Sequence, residues 1–313
     1  MDKQFDLICV GIALIDAIIR GFDPNPVSAS GYRAESCSLN VGGEAVNQSM
    51  AAAKLGLRTG IVCALGEDMA GEMIIQALSC SGVDCGRIIR SKDHPTPVTT
   101  MFVHADGSRK SITNSSHRFQ FHPEDKAERF SDARALMLGS LFRAPFDDPR
   151  IIFYVLSAAK ASGQIVFADT KLPNGRVLRL EDLRDSLPLI DYLTPNEDEA
   201  RWFSGKESPD DMADVFLNCG VRNVIIKLGA KGCLFRNAQE RILLPACDIR
   251  AVDATGAGDN FLAGFASETL RGASHGDALR FANACGAICA TAVGACTALR
   301  SRDQVLDFLN AMP

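Results

Sequence analysis

Basic residues are in the minority in this 313-residue chain: 33 Lys and Arg stand against 38 Asp and Glu, a formal net charge of -5. Proteins that track a nucleic-acid backbone carry a basic face, so the balance argues against that class. Long apolar runs are missing too. No uninterrupted apolar stretch reaches the roughly 20 residues of a membrane-spanning helix, and no membrane partner is expected. Eleven cysteines include no Cys-x-x-Cys pair, and the closest couples are Cys80/Cys85 and Cys285/Cys289. An odd number scattered through apolar runs is the pattern of reduced core thiols in a cytosolic protein, not of a disulfide framework or a zinc site. The lone histidines, His104 and His117 among them, lack ligand spacing and are read as structural or lid residues. There is no Gly-x4-Gly-Lys-[Ser/Thr], which excludes a P-loop enzyme, and no Gly-x-Gly-x-x-Gly at Gly256, because Phe261 stands where the third glycine belongs.

What is present is ordinary soluble-globular composition, 47% hydrophobic and 23% charged. The first six residues carry acids where a secretory leader would be basic, and the apolar stretch after them runs into Gly11 and Asp16. It reads as a buried first strand, and a cytoplasmic location is expected. Short apolar runs at 7–11, 61–65, 135–139, 165–169 and 224–228 alternate with longer helical patterns. Runs apolar on both faces are strands of a mostly parallel sheet covered by helices, so the fold class is α/β.

One segment departs from this rhythm. Two β-rich arms, 98–105 and 108–113, flank Asp106-Gly107, a strong hairpin signal. Two-stranded ribbons need partners. With the Gly- and Pro-punctuated stretch near residues 21–38, the hairpin predicts a small β-lid, at about 13–38 and 95–115, set apart from the main sheet. Its open edges invite a homodimer through the lid. No linker, repeat or low-complexity tract divides the chain, and a single domain over 1–313 is expected.

The strongest local signal is Asp253-Ala-Thr-Gly-Ala-Gly-Asp259, followed by Phe261, Leu262, Phe265, Thr269 and Leu270 at helical spacing, with Gly272 as the stop. A glycine-rich loop thus feeds a helix N-terminus, whose free N–H groups and dipole make an anion site. Asp259, set within it, could take a proton from a hydroxyl as an anionic group is transferred. A glycine turn that merely satisfies the helix end is the plainer alternative.

This heptapeptide resembles the C-terminal signature of the PfkB (ribokinase-like) carbohydrate kinase family. Val41-Gly-Gly-Glu-Ala-Val-Asn47, with 51–56 after it, resembles the N-terminal signature, and the two lie about 200 residues apart in the right order. The resemblance covers the whole chain. It implies a three-layer ribokinase-like sandwich and transfer of the γ-phosphate of ATP to a sugar hydroxyl. Asp259 would be the general base, and the N–H groups of Gly256, Ala257 and Gly258 the anion hole. Thr194 to Glu199 resembles the Asn-x-x-Glu motif, which implies that Asn196 and Glu199 organise Mg2+ through water; alone, the stretch is also a helix start.

The resemblance further implies that Lys227, Gly229 and Gly232 form a nucleotide loop and that Asn283 contacts adenine or ribose. On the acceptor side it implies Asp16, Gly42, Gly43 and Asn47, with Asp169 and Lys171 at another strand end. Asp253 and Thr255 match positions that in some relatives help to hold a monovalent cation such as K+, and would equally serve to fix the loop. The sequence departs from the ribokinase pattern at Leu14, where ribokinases carry a polar sugar contact, and at Glu44, where they carry lysine. Both departures argue against ribose itself. Lys171, Arg109 and Arg118 would suit an anionic acceptor, though nothing in the sequence brings them together. Two other readings stay open. A nucleoside or vitamin-like kinase of the same superfamily would want an aromatic pocket, which one Trp and three Tyr disfavour. A silent sugar-binding regulator would be expected to lack the base or the glycines.

Overall fold

The computed structural model describes residues 3–21, 34–104, 109–114 and 128–312. The chain opens with strand β1 (Phe5–Val10), then β2 (Leu14–Arg20), β3 (Ser36–Gly42) and helix α1 (Glu44–Lys54). Next come β4 (Thr59–Val62), β5 (Ala64–Gly66), α2 (Met69–Cys80), β6 (Ile89–Ser91), β7 (Val98–Val103) and β8 (Arg109–Thr113). The middle comprises α3 (Glu128–Ser131), β9 (Ala133–Leu141), α4 (Pro149–Ala161), β10 (Ile165–Thr170), β11 (Tyr192–Leu193), α5 (Glu197–Ser204) and α6 (Pro209–Asn218). It closes with β12 (Asn223–Lys227), β13 (Cys233–Arg236), β14 (Arg241–Leu244), α7 (Ala257–Leu270), α8 (His275–Ala290) and α9 (Arg302–Asn310).

The main sheet has eight strands in the order β14-β13-β12-β11-β10-β9-β1-β4. All its pairs from β4 to β12 are parallel, and only the β12–β13 and β13–β14 pairs are antiparallel. The pleat divides the core in two. Along β1, Leu7 and Cys9 join a cluster packed on α7, α8 and α9, while Ile8 and Val10 join one packed on α4, α5 and α6. A sheet buried on both faces must be apolar on both, which is why these strands read as unbroken hydrophobic runs. Helix α7 is buried along almost its whole length, from Asp259 to Leu270 with only Thr269 less so, as a helix roofed by other helices must be. Side-chain caps set the starts of five further helices: Asp68 for α2, Asp148 ahead of Pro149 for α4, Ser208 ahead of Pro209 for α6, Ser274 for α8 and Ser301 for α9.

The small sheet is separate, in the order β3-β2-β7-β8, and is joined to β1 by residues 11–13. Here the structure adds to the sequence reading. The 98–113 segment is not a free ribbon, because β7 runs parallel to β2 and β8 closes the other side. The Asp106-Gly107 turn lies outside the described residues, as do His117, Arg118 and residues 22–33 of the first lid segment. The run at 61–65 is two short strands, broken at Cys63, with β5 leaving to pair with β6. All eleven cysteines are free, as expected of reduced thiols; five are buried, but Cys37 and Cys80 are exposed, so not all are core residues. Open parallel sheets place their ligand sites beyond the carboxyl ends of the strands, where β1, β9, β10 and β12 here deliver Gly11, Ser140, Lys171 and Lys227.

Candidate active site

Asp259 sits in the first turn of α7, 7% exposed, with both carboxylate oxygens engaged by α1. Asn47 Nδ2 donates to Oδ2 at 2.9 Å and Gln48 Nε2 to Oδ1 at 3.0 Å. Burial pushes the carboxyl up to about 7; Lys171 and the Asn47 bond oppose the rise, and Glu44 and Asp169 add to it. An acid that titrates near neutrality in a buried cleft can take a proton at physiological pH.

The turn before it needs glycine. Gly256 caps α7 in the left-handed region at φ 76°, and a Cβ there would collide with Ala295. Ala257 N–H donates to the Ala254 carbonyl at 3.2 Å, so in this state that amide closes the turn. Gly256 and Gly258 donate to no acceptor among the described residues. Asp253 ties the loop from behind: Oδ1 accepts from the Thr255 amide at 3.0 Å and hydroxyl at 2.7 Å, and Oδ2 from the Gly294 amide at 3.1 Å. The loop-fixing role raised for Asp253 and Thr255 is thus visible directly.

On one side of this loop lies a cleft of about 610 Å³, within the usual range for small-ligand pockets. It gathers Lys227, Gly229, Gly232, Gly258 and Asn283, residues drawn from three separate stretches of chain. Its walls include the apolar side chains of Ala246, Ile249, Ala287 and Ala290. Asn283 donates to the Pro245 carbonyl at 3.1 Å. Gly232, at φ 101°, lies where a Cβ would enter the backbone of Leu244 and Pro245. Lys227 points between the two halves of the site. Its ammonium pairs with Asp169 at 2.7 Å and lies so near the loop that a Cβ on Gly258 would be 3.3 Å away.

Asn196 and Glu199 form a reciprocal capping box at the start of α5. Asn196 Oδ1 accepts from the Glu199 amide at 2.9 Å; Glu199 Oε2 accepts from the Asn196 amide at 3.0 Å and from Thr170 Oγ1 at 2.8 Å. Burial first, then the Asp169 charge, pushes the Glu199 carboxyl above the usual range. Among the described residues no cluster of three or more acidic, His or Cys side chains could enclose a metal.

On the other side of Asp259, Asp16 lies on β2, and Gly42 gives it room: a Cβ at Gly42 would strike the Asp16 carboxylate. Gly43 starts α1 at φ 97°, with a Cβ position that would enter the Ile12 carbonyl. Asp169 is tied to Thr194 Oγ1 at 3.2 Å as well as to Lys227. Lys171 pairs with Glu44 at 3.1 Å, and Ser140 Oγ donates to the second Glu44 oxygen at 2.5 Å. Sequence reasoning missed Gln48, Ser140, Thr170 and Thr194. Gln48 alone carried a signal, as a polar residue on the buried stripe of α1 one position past Asn47.

The chain matches the model of the pfkB family carbohydrate kinases over residues 4–302. It belongs to that family. It is 28% identical to the 2-dehydro-3-deoxygluconokinase of Bacillus subtilis over 295 residues, 90% of each chain. It is 31% identical to the ribokinase of Haemophilus influenzae over 281 residues, 88% of this chain and 89% of that one. Its fold superposes on the ribokinase of Arabidopsis thaliana, solved with ribose and ATP, with a TM-score of 0.85 over 99% of both chains at 28% identity. The three-layer ribokinase-like fold expected from the signatures is the fold observed, and the protein is a phosphotransferase of the carbohydrate-kinase class.

Proposed function

We propose that the protein transfers the γ-phosphate of ATP to a carbohydrate hydroxyl, with Asp259 as the base. The observation that carries this reading is the position of the α7 N-terminus. The helix start that lines the 610 Å³ cleft also carries Asp259, buried against α1 on the acceptor side. A nucleotide in the cleft would present its terminal phosphate to Lys227 and to the amides of Gly256 and Gly258. The amide of Ala257 would join them once released from Ala254. Negative charge developing on the phosphoryl oxygens would be met by fixed donors and a helix dipole, the term that dominates such catalysis. Across the loop, Asp16, Asn47 and the backbone at Gly42 and Gly43 would hold the acceptor, aiming one hydroxyl at Asp259.

Mg2+ would be held through water by Asn196 and Glu199 and would neutralise charge on the triphosphate. Lys227 is already paired with the buried Asp169, so a phosphate there would share the ammonium with that carboxylate and not displace it. A monovalent cation such as K+ at the Asp253–Thr255 loop belongs to the same proposal, and replacing K+ with a bulky quaternary ammonium ion tests it. We also assign the small sheet the role of a lid over the acceptor that excludes water. Its exposed Leu39 and Ile112 favour a homodimer through the same sheet, which sedimentation would detect. Eleven free cysteines suit a reducing, cytoplasmic setting.

The test is a coupled ADP-release screen with MgATP against neutral sugars, sugar acids, sugar phosphates and nucleosides, with Asp259→Asn beside the wild type. Acceptor-dependent ADP release abolished by the substitution is the expected result. Acceptor binding by thermal shift without any ADP release would instead favour a sugar-binding regulator.

A further inference from the structure

The Glu44–Lys171 pair has no role in the phosphoryl-transfer scheme above, yet the fold goes to some length to build it. Glu44 is the first residue of α1, immediately after Gly43, and its side chain is largely buried. Gly139, at the end of β9, makes room for it: a Cβ there would come within 2.9 Å of Glu44 Cβ. The next residue, Ser140, is a non-glycine held at φ 64°, a conformation unfavourable for an L side chain. In that conformation its hydroxyl donates to one Glu44 oxygen while Lys171 Nζ lies 3.1 Å from the other. Burial alone would push the Glu44 carboxyl up, but Lys171 and Ser140 outweigh it and hold the group below the usual range. It is a carboxylate, and a fixed one.

The consequence lies in the charge that an acceptor meets. Lys171 is raised first by Glu44 and then, against the opposing effect of burial, by Asp259, Asp169 and Glu199. One ammonium therefore stands among four carboxylates, and Lys227 is committed to Asp169 at 2.7 Å. Among the described residues around Asp259, both of these cations are already paired. A carboxylate or phosphate placed against Lys171 would meet an ammonium already neutralised by Glu44 and would add a further negative charge to a partly desolvated, acid-rich site. Hydroxyl groups suit the same surroundings well, because ionised Asp and Glu only accept hydrogen bonds and a polyol supplies O–H donors. Lys171, with one of its three hydrogens facing Glu44, keeps donors for hydroxyl oxygens.

We propose that the Glu44–Lys171 pair selects a neutral polyhydroxy acceptor, with Glu44 acting as a specificity-determining residue that neutralises Lys171 and repels sugar acids and sugar phosphates. This rests on the kinase reading above and narrows it. Specificity of this kind comes from disfavouring the wrong ligand as much as from holding the right one.

The test uses the full chain with MgATP and matched acceptors on one carbon skeleton: each aldose and alditol beside its aldonate and its phosphate ester. The wild type should favour the best neutral acceptor over its matched aldonate by at least about 100-fold in kcat/KM. Glu44→Gln should cut that ratio at least about tenfold, losing activity on the neutral compound and gaining it on the aldonate. A wild-type preference for an aldonate or a phosphate ester would overturn the inference and leave the kinase reading standing. So would a folded Glu44→Gln enzyme with an unchanged ratio. Should Glu44→Gln fail to fold, Ser140→Ala loosens the same carboxylate and is read by the same ratio. ADP release with no acceptor of either class would remove the kinase reading and this inference together.

Discussion

Asn47 and Asp259, 212 residues apart in the chain, are joined side chain to side chain at 2.9 Å. This contact fastens α1 to the start of α7. The orientation of the Asn47 amide is set from behind, because the Cys296 thiol donates to its oxygen at 3.5 Å and leaves the nitrogen facing the carboxylate. Asp259 is thereby aimed by residues that belong to neither the 610 Å³ cleft nor the glycine loop.

Replacing the base should be tolerated by the fold and not by the reaction. Asp259→Asn introduces an amide facing two donors, Asn47 and Gln48. The Gln48 oxygen is buried without a partner among the described residues, so turning that amide over accommodates the new N–H2. Turnover should fall at least about 100-fold, with the circular dichroism spectrum unchanged. Near-normal turnover would remove Asp259 from its role.

The pH dependence has a definite sign. Asp259 has its carboxyl raised to about 7 in the folded protein, against roughly 4 in an unfolded chain. The folded state therefore holds a proton that the unfolded state has lost, and stability falls as pH rises from about 4 to 7. Asp259→Asn escapes that loss, so its melting temperature should exceed that of the wild type at pH 8, with the gap closing toward pH 4. The acceptor kcat/KM should run the other way, climbing to a plateau above pH 7 as the base ionises. Asn47→Leu removes a bond that favours the charged form and should move the half-point of that climb to higher pH. A profile flat from pH 5 to 8 would contradict the assignment.

Lys227 and Asp169 form the most buried ion pair of the site, with side chains 14% and 4% exposed. Lys227→Met leaves the Asp169 charge without its cation, which should cost roughly 3–5 kcal/mol in urea denaturation. Adding Asp169→Asn should recover most of that loss while ATP turnover stays low. Recovery of both would make the lysine a structural residue only.

Gly42→Ala puts a methyl group against the Asp16 carboxylate. We expect KM for the acceptor to rise at least about tenfold with ATP affinity unchanged, measured by equilibrium binding of a fluorescent nucleotide. Equal damage to both ligands would indicate a general distortion of α1.

Much of this architecture could be read in the chain beforehand, and the parts that could not have physical reasons. Strands such as β1 and β12 are buried on both faces, so they announce themselves as apolar runs. The loop ahead of Asp259 is legible because left-handed backbone and close approach leave glycine little competition at Gly256. By contrast, β11 is two residues long, too short for any period to register. The antiparallel edge made by β13 and β14 depends on pairing, not composition. Gln48 and Ser140 acquire their roles only when α1 meets α7 and β9, contacts spanning 211 and 96 residues. Glu44 stands out in the sequence as a departure from the ribokinase pattern, but only the fold brings Lys171 to it.

Residues 44–48 supply Glu44, Asn47 and Gln48 from little more than one turn of α1, whereas the nucleotide cleft draws on segments from Lys227 to Ala290. One turn of helix therefore couples the Glu44–Lys171 pair to the Asp259 carboxylate, so exchanging it changes the surroundings of both at once. Any graft of residues 44–48 between kinases of this fold would have to bring Lys171, just past the end of β10, and keep both amides facing Asp259.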